Sequence, residues 1–305
     1  MTRNEKILFG LNKEGIGIEI GASHRPVAPK KDGYHVHIID HLDKDGLIEK
    51  YKAENISSSV NSIDNIEEVD FVWTGQGYTE LTGKTNHYDW VIAAHVIEHS
   101  PDLIAFLNNC GEILKEGGIL SLAIPDKRYC FDRFRPISSL SKVIDAHLYK
   151  LMRHSLGTVV EYRLNSVTKD GVIGWSKYHG GEYKMRHAMD DFTLAIEENK
   201  ISCAYTDYHA WCFTPSVFRL LIHDLNMLGY ISFSEVSYYP TSGCEFYVSL
   251  RKSHKKSCVD RLKMLGAIEH ELENADRISL RDMLGYKVMI IKGKLKRFLK
   301  KIGFI

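Results

Sequence analysis

The chain has no cysteines spaced as CxxC, no apolar run long enough to cross a bilayer, no internal repeat and almost no net charge. Its six cysteines, at 110, 130, 203, 212, 244 and 258, are scattered. That excludes a zinc ribbon or a tight disulfide framework and fits reduced thiols in a cytosolic protein. Its apolar runs fall short of the roughly 20 residues that a membrane helix needs. The first residues, MTRNEKILFGLNKEG, hold too short an apolar run for a signal peptide, so a cytoplasmic location is expected. A formal charge of +1 implies no electrostatic partner for the molecule as a whole, and no nucleic acid is expected. The charge is uneven, however: residues 1–250 carry about −8 and residues 251–305 about +9, an asymmetry that hints at surface binding.

What the chain does contain is clearest from Tyr88 to Asp126, YDWVIAAHVIEHSPDLIAFLNNCGEILKEGGILSLAIPD. Val91 to Ala94 is a short apolar run of the kind buried in a parallel sheet. Ser100 is placed to cap a helix that Pro101 and Asp102 open. Leu103, Phe106, Leu107, Cys110, Ile113 and Leu114 then form one apolar stripe at helical spacing. Gly117-Gly118 is expected to stop that helix before a second buried strand, Ile119 to Ile124. This β-α-β unit brings His95, Glu98, His99 and Asp126 towards the carboxyl ends of its strands, where open α/β sheets bind ligands.

Earlier strands are expected at Gly17 to Gly21, His35 to Asp40 and Val69 to Trp73, with a helix over Leu47 to Ala53. Later, Thr214-Pro215 opens a helix to Leu228 that Gly229 stops, and Ile231 to Tyr238 and Cys244 to Leu250 form a hairpin. The fold class is therefore α/β, a doubly wound and mostly parallel sheet with an antiparallel hairpin at its end. Residues 1–126 and 206–252 would make this core. Residues 127–205, rich in Arg, His, Tyr and Asp, would be a partly helical insertion over the ligand edge, serving as a substrate lid. Residues 253–305 would be a basic helical tail. In its last helix Ile291, Leu295, Phe298 and Ile302 share a face among lysines, a pattern of membrane-surface or partner helices as well as of ordinary packed ones.

The glycines Gly15-x-Gly17 do not make a dinucleotide fingerprint. The sixth position is Ile20 and the pair precedes the strand, so a nicotinamide or flavin cofactor is not expected. Gly21 ends the first strand, where a ligand approaches backbone closely. Asp40 ends the second strand about twenty residues on, where a carboxylate accepts from ribose hydroxyls.

Together EIGAS, HIID, YDWVIAAHVIEH and LKEGGILSLAIPD resemble the class I S-adenosylmethionine-dependent methyltransferases over roughly residues 15–126 and 206–250. Downstream segments such as PDKRYCFDRFRP, HAWCFTPSVFRLL and PTSGCEFYVSL look like a bacterial subgroup associated with polysaccharide biosynthesis. The resemblance implies S-adenosylmethionine as cofactor. Glu19, Gly21 and Ala22 would surround its methionine part, Asp40 would hold the ribose with His41 beside the adenine, Trp73 would face the adenine, and Ala94 and His95 would line the methyl channel. One departure is the first loop. Gly21 is followed by Ala22, Ser23, His24, Arg25 and Pro26, and Pro26 and Pro29 break the usual helix. Ser23 or Arg25 would then hold the cofactor's carboxylate.

The resemblance further implies methyl transfer to an oxygen of a glycan or glycolipid precursor. A sugar hydroxyl needs a base, and His95 and Asp126 are the candidates, with His147, His187 and His209 behind them. Arg128 and Arg135 are candidates for an acidic substrate or, by default, solvated surface residues. A non-catalytic partner of a membrane-associated glycosyltransferase, touching the membrane through residues 286–305, is the alternative. A zinc hydrolase built on His95-x-x-Glu98-His99 is less favoured, because His95 ends a strand and the motif needs a helix. Glu98 and His99 are expected to serve hydrogen bonds at the helix start, and no metal ligands are assigned.

Overall fold

The computed structural model describes residues 1–53, 62–188, 207–256 and 258–277, together with 193, 196 and 197. In chain order the elements are α1 (Arg3–Ile7), β1 (Ile16–Ile20), β2 (His35–Asp40), α2 (Lys44–Ala53), β3 (Phe71–Val72), α3 (Tyr78–Thr82), β4 (Tyr88–Ala94), α4 (Leu103–Ile113), β5 (Leu114–Pro125), α5 (Leu140–Leu148), α6 (Leu156–Asn165), β6 (Val167–Lys169), β7 (Tyr183–Met185), α7 (Pro215–Leu228), β8 (Phe233–Ser242), β9 (Glu245–Lys252) and α8 (Arg261–Glu273).

Seven strands form one sheet in the order β3-β2-β1-β4-β5-β9-β8. The first five are parallel, and β9 and β8 run antiparallel. This is the Rossmann-like arrangement expected from the alternation of strands and helices. β6 and β7 pair separately as a small hairpin sheet. The strand order reverses between β1 and β4, and a reversal opens a crevice at the carboxyl ends of the strands.

Side chains alternate across the sheet. Val91 and Ala93 join Ile18, Leu120 and Leu122 in the larger core, covered by α4, α5 and α7. Trp90 and Ile92 face the smaller core, covered by Ile7 of α1 and by Val27 and Ala28 of the loop after β1. That loop replaces a first crossover helix, as the two prolines predicted. Between Gly21 and Tyr34 its helical content is one 3₁₀ turn, Lys30–Asp32. Its fold is pinned by Glu19, whose carboxylate accepts from the Val27 and Ala28 N–H groups at 2.7 and 2.9 Å. Gly17 lies inside β1 because a Cβ there would sit 2.1 Å from the Trp90 ring.

Two local expectations are corrected. Asp102, not Ser100, caps α4, accepting from Ala105 N at 2.9 Å. The Ser100 hydroxyl instead donates to Asp102 O at 2.8 Å, while its carbonyl accepts the Trp211 indole N–H. Gly117-Gly118 does not stop the helix. α4 ends at Ile113 and passes straight into β5. The glycines occupy an irregularity in which Tyr88 pairs with Leu114 but Trp90 pairs with Ile119, and Gly117 takes φ +78°.

Residues 127–188 are better built than their weak periodicity suggested. α5, α6 and the β6–β7 hairpin are ordered elements, and Tyr129, Val167 and Trp175 form a small core of their own. α8 packs on α7, where Glu271 accepts from Ser216 N and Oγ. The expected basic tail with Ile291, Leu295, Phe298 and Ile302 lies outside the described residues, as does Cys203. Among the described residues no helix is long and apolar enough to cross a membrane.

Candidate active site

A cavity of about 270 Å³ opens at the carboxyl ends of β1, β2 and β4. Of the residues singled out by sequence, Gly21, Ser23, Asp40, His41, Trp73 and His95 line it. Ile20, Ile39, Val96 and Phe106 supply apolar wall, and Lys50, Tyr51, Asn109 and His99 supply polar wall. Gly21 holds φ +67°, and a Cβ on it would meet Val96 Cγ2 at 2.8 Å. The glycine therefore keeps both the turn and the cradle open.

Asp40 is almost fully buried. Its Oδ1 accepts from His41 N and from His41 Nδ1, at 2.8 and 2.7 Å. Its Oδ2 has no partner among the described residues. A buried carboxylate oxygen without a donor is costly, and this one belongs to a side chain that lines the cavity. Trp73 is fixed by donating its indole N–H to Gln76 O at 2.8 Å. Ser23 donates to Tyr51 Oη at 2.5 Å, while Arg25 is exposed and does not line the cavity.

Glu19, Ala22 and Ala94 do not line the cavity. Glu19 points into the loop that it pins, and burial pushes its carboxyl up to about 7 against the two N–H donors. Ala22 is buried, and Ala94 packs against the smaller core.

His95 follows β4 with φ +57°, a sparsely occupied conformation for a residue with a Cβ and one that collects at functional sites. Its Nε2 meets Glu245 Oε2 at 2.7 Å. Glu245 opens β9 and also accepts from Arg3 Nε and Tyr247 Oη, at 2.8 and 2.9 Å. Against its burial, the hydrogen bonds and electrostatic attraction of His95 and Arg3 hold Glu245 down at about 2. The imidazole is thus oriented by a carboxylate and lines the cavity, with its other nitrogen, Nδ1, 3.6 Å from Glu98 Oε1.

After His95 the chain forms a single 3₁₀ turn, Ile97–His99. The two histidines of the HxxEH motif therefore do not share a helix face, which removes the zinc-protease reading. Glu98 does not serve the helix start either: its side chain is fully buried and neither carboxylate oxygen accepts a hydrogen bond among the described residues. His99 Nδ1 lies 2.8 Å from Asp207 Oδ1. Against its burial, contacts with Asp207 and Glu98 raise its pKa. His209 Nδ1 meets Asp132 Oδ2 at 2.5 Å, and burial lowers its pKa despite that partner.

Asp126 is corrected from base to structural anchor. It is fully buried, away from the cavity. Arg128 Nε and Nη2 donate to it at 2.9 and 2.5 Å, and Thr241 Oγ1 donates at 2.6 Å. The short turn Lys127–Tyr129 folds Arg128 back onto it. A carboxylate so neutralised has no free lone pair to offer a substrate. Arg128 and Arg135 are likewise neither solvated nor substrate-facing. Arg135 is buried, donating to Asp132 and Glu161 at 2.8 and 3.1 Å. His147 pairs with Asp102 Oδ2 at 2.9 Å, and His187 contacts Arg163.

Sequence reading missed Glu245, Asp207 and Asp132, which orient the histidines. Glu245 stands 150 residues from its partner, and only the β5–β9 pairing brings the two together. No local pattern marks such a contact.

Residues 5–166, just over half of the chain, match a family described as a methyltransferase domain. No curated protein matches the sequence. Among solved structures, an S-adenosylmethionine-dependent methyltransferase of Thermotoga maritima is 13% identical, with 82% of this chain and 87% of that chain covered and a TM-score of 0.40. One from Listeria monocytogenes is 12% identical, with 82% and 96% covered and a TM-score of 0.38. The CurJ carbon methyltransferase is 13% identical at a TM-score of 0.36, with 81% of this chain covered, and the chain spans about half of that protein's length (51%). The match over residues 5–166 is decisive: the chain belongs to the methyltransferase-domain family and is a class I S-adenosylmethionine-dependent methyltransferase.

Proposed function

We propose that the enzyme methylates a hydroxyl of a glycan or glycolipid precursor, with the cofactor in the cavity between β1 and β4 and His95 as the base. The residues present fit the cofactor. Asp40 Oδ2, buried and without a donor among the described residues, is suited to ribose hydroxyls. Trp73, Ile39 and Phe106 offer an apolar slot for a purine, and Gly21 admits the methionine part beside bare backbone. When bound, S-adenosylmethionine supplies a methyl group on a positively charged sulfur that departs as a neutral thioether. The protein's task is then alignment and handling of the acceptor proton.

The observation that carries the acceptor class is the Glu245–His95 pair. Amines need little help to attack a sulfonium, whereas an alcohol gains from a positioned base. Glu245 fixes the ring and stabilises the imidazolium that forms as the hydroxyl proton passes to Nδ1. Polar wall from Lys50, Tyr51 and Asn109 suits a polyhydroxylated acceptor, and the resemblance to proteins of polysaccharide assembly names its class.

The test follows label from methyl-labelled S-adenosylmethionine into bacterial glycolipid and oligosaccharide precursors. Label should enter as an O-methyl ether, and His95→Asn should lower kcat by roughly 10²- to 10⁴-fold. Label recovered on nitrogen or carbon, or an unchanged kcat in His95→Asn, would contradict the assignment.

A further inference from the structure

We infer that Glu98, His99 and His209 form a binding site for one divalent transition-metal ion at the edge of the cavity. The ion's open position would bind the acceptor hydroxyl. Only this last role rests on the hydroxyl-methylation reading above; the binding of the ion does not.

The argument starts from Glu98. Its side chain is 0% exposed, and neither oxygen has a hydrogen-bond donor among the described residues. An ionised carboxylate in that position costs several kcal/mol unless a cation faces it. What faces it is a ring of imidazoles, none within hydrogen-bond reach. His95 Nδ1, His99 Nε2 and His209 Nε2 lie 3.6, 3.8 and 3.9 Å from Glu98 Oε1.

The far nitrogen of each ring is already engaged. Glu245 holds His95 Nε2 at 2.7 Å, Asp207 meets His99 Nδ1 at 2.8 Å, and Asp132 holds His209 Nδ1 at 2.5 Å. A carboxylate on one imidazole nitrogen fixes the tautomer that aims the other nitrogen's lone pair at a metal. Here three such pairs converge on one carboxylate. Packing alone has no use for that convergence.

The spacing also fits. One ligand atom from each of Glu98, His99 and His209 lies within 4.8 Å of the other two. Bonds of about 2.1 Å in a tetrahedral shell put ligand atoms about 3.4 Å apart, so the rings need close in by only a fraction of an ångström to a little over one. Two imidazoles with one carboxylate suit zinc, iron(II), cobalt(II) or manganese(II) better than magnesium or calcium, which take oxygen shells. His99 lines the cavity and Glu98 and His209 do not, so the fourth position falls on the cavity side. An ion there lowers the pKa of a bound hydroxyl, and His95 stands beside it to take the proton. The donor set is thus the HxxEH segment in another role: Glu98 is a ligand, and the third ligand comes from the segment before α7.

The test uses cobalt(II) with the chelator-stripped full chain. One equivalent should produce a visible d–d absorption band and a rise in Tm. Glu98→Gln, which keeps the shape and removes the ligating carboxylate, should abolish both. Asp132→Asn should weaken cobalt binding roughly 10- to 100-fold. His209→Gln is the second ligand variant should Glu98→Gln fail to fold. Wild-type protein that takes up no stoichiometric cobalt, or a folded ligand variant with the wild-type band and affinity, would overturn the site. Neither readout involves an acceptor, so failure to methylate glycans would leave this result untouched.

Discussion

Glu19 is where the loop after β1 is decided, and its chemistry gives a pH signature. Its carboxyl titrates at about 7 in the fold and near 4.5 when exposed. Burial disfavours the charged form more strongly than the Val27 and Ala28 N–H groups favour it. Between those two values the folded state binds the extra proton. Stability from this group is therefore fullest below about pH 4.5 and falls as pH rises through 7. Glutamine at position 19 cannot titrate. The stability of the wild type relative to Glu19→Gln, measured by urea unfolding, should drop by on the order of 2 kcal/mol between about pH 5 and about pH 8. A pH-independent difference would show that the two N–H donors outweigh burial. At this same scale the sequence was partly legible. Gly21, Asp40 and His95 stand at strand ends, and strand ends fall out of apolar runs. Asp126 also stands at a strand end, yet its role was set by Arg128 folding back two residues on, and side-chain direction within a turn leaves no trace in spacing.

At the scale of the element, close approach explains glycines that look like motif. Gly17 is the floor on which Trp90 lies, not half of a phosphate-binding loop. Gly17→Ala would push a methyl group into an almost wholly buried indole on a neighbouring strand that cannot move aside. The expected loss is about 3 kcal/mol, at the upper end of overpacking costs. Gly157 in α6 is the contrast: a Cβ there meets only Ser155 Oγ, at 3.8 Å. Gly157→Ala should raise stability by about 0.5–1 kcal/mol through helix propensity. Thermal unfolding of both variants checks the pair of signs, and a Gly17→Ala variant as stable as the wild type would refute the packing account. The element types were legible because β4, α4, β5 and α7 each carry strong periodicity. Their ends were less so. Ser100 and Asp102 are both good caps; in the fold the Ser100 hydroxyl donates to Asp102 O at 2.8 Å and leaves the capping to the Asp102 carboxylate.

For the molecule as a whole, the chain just after β5 is joined to the sheet through charge and hydrogen bonds. Asp126, Arg128 and Thr241 bond one another, and Arg128 Nη1 reaches Glu271 O of α8 at 3.1 Å. The same long-range folding assembles the Glu98 cluster from the segments after β4 and β5, the start of β9 and the segment before α7. The sheet order could be expected from alternating strands and helices. The contacts across it could not, because Glu245, Asp207 and Asp132 acquire meaning only once the strands are placed.

The account rests on one crevice, where β1 and β4 part, holding the cofactor through Asp40. Calorimetric titration with S-adenosylhomocysteine tests that directly. The wild type should bind, and Asp40→Ala should bind about 10- to 100-fold more weakly, as expected for lost hydrogen bonds to a charged acceptor. Equal affinity in the two proteins, or no binding by a folded wild type, would contradict it.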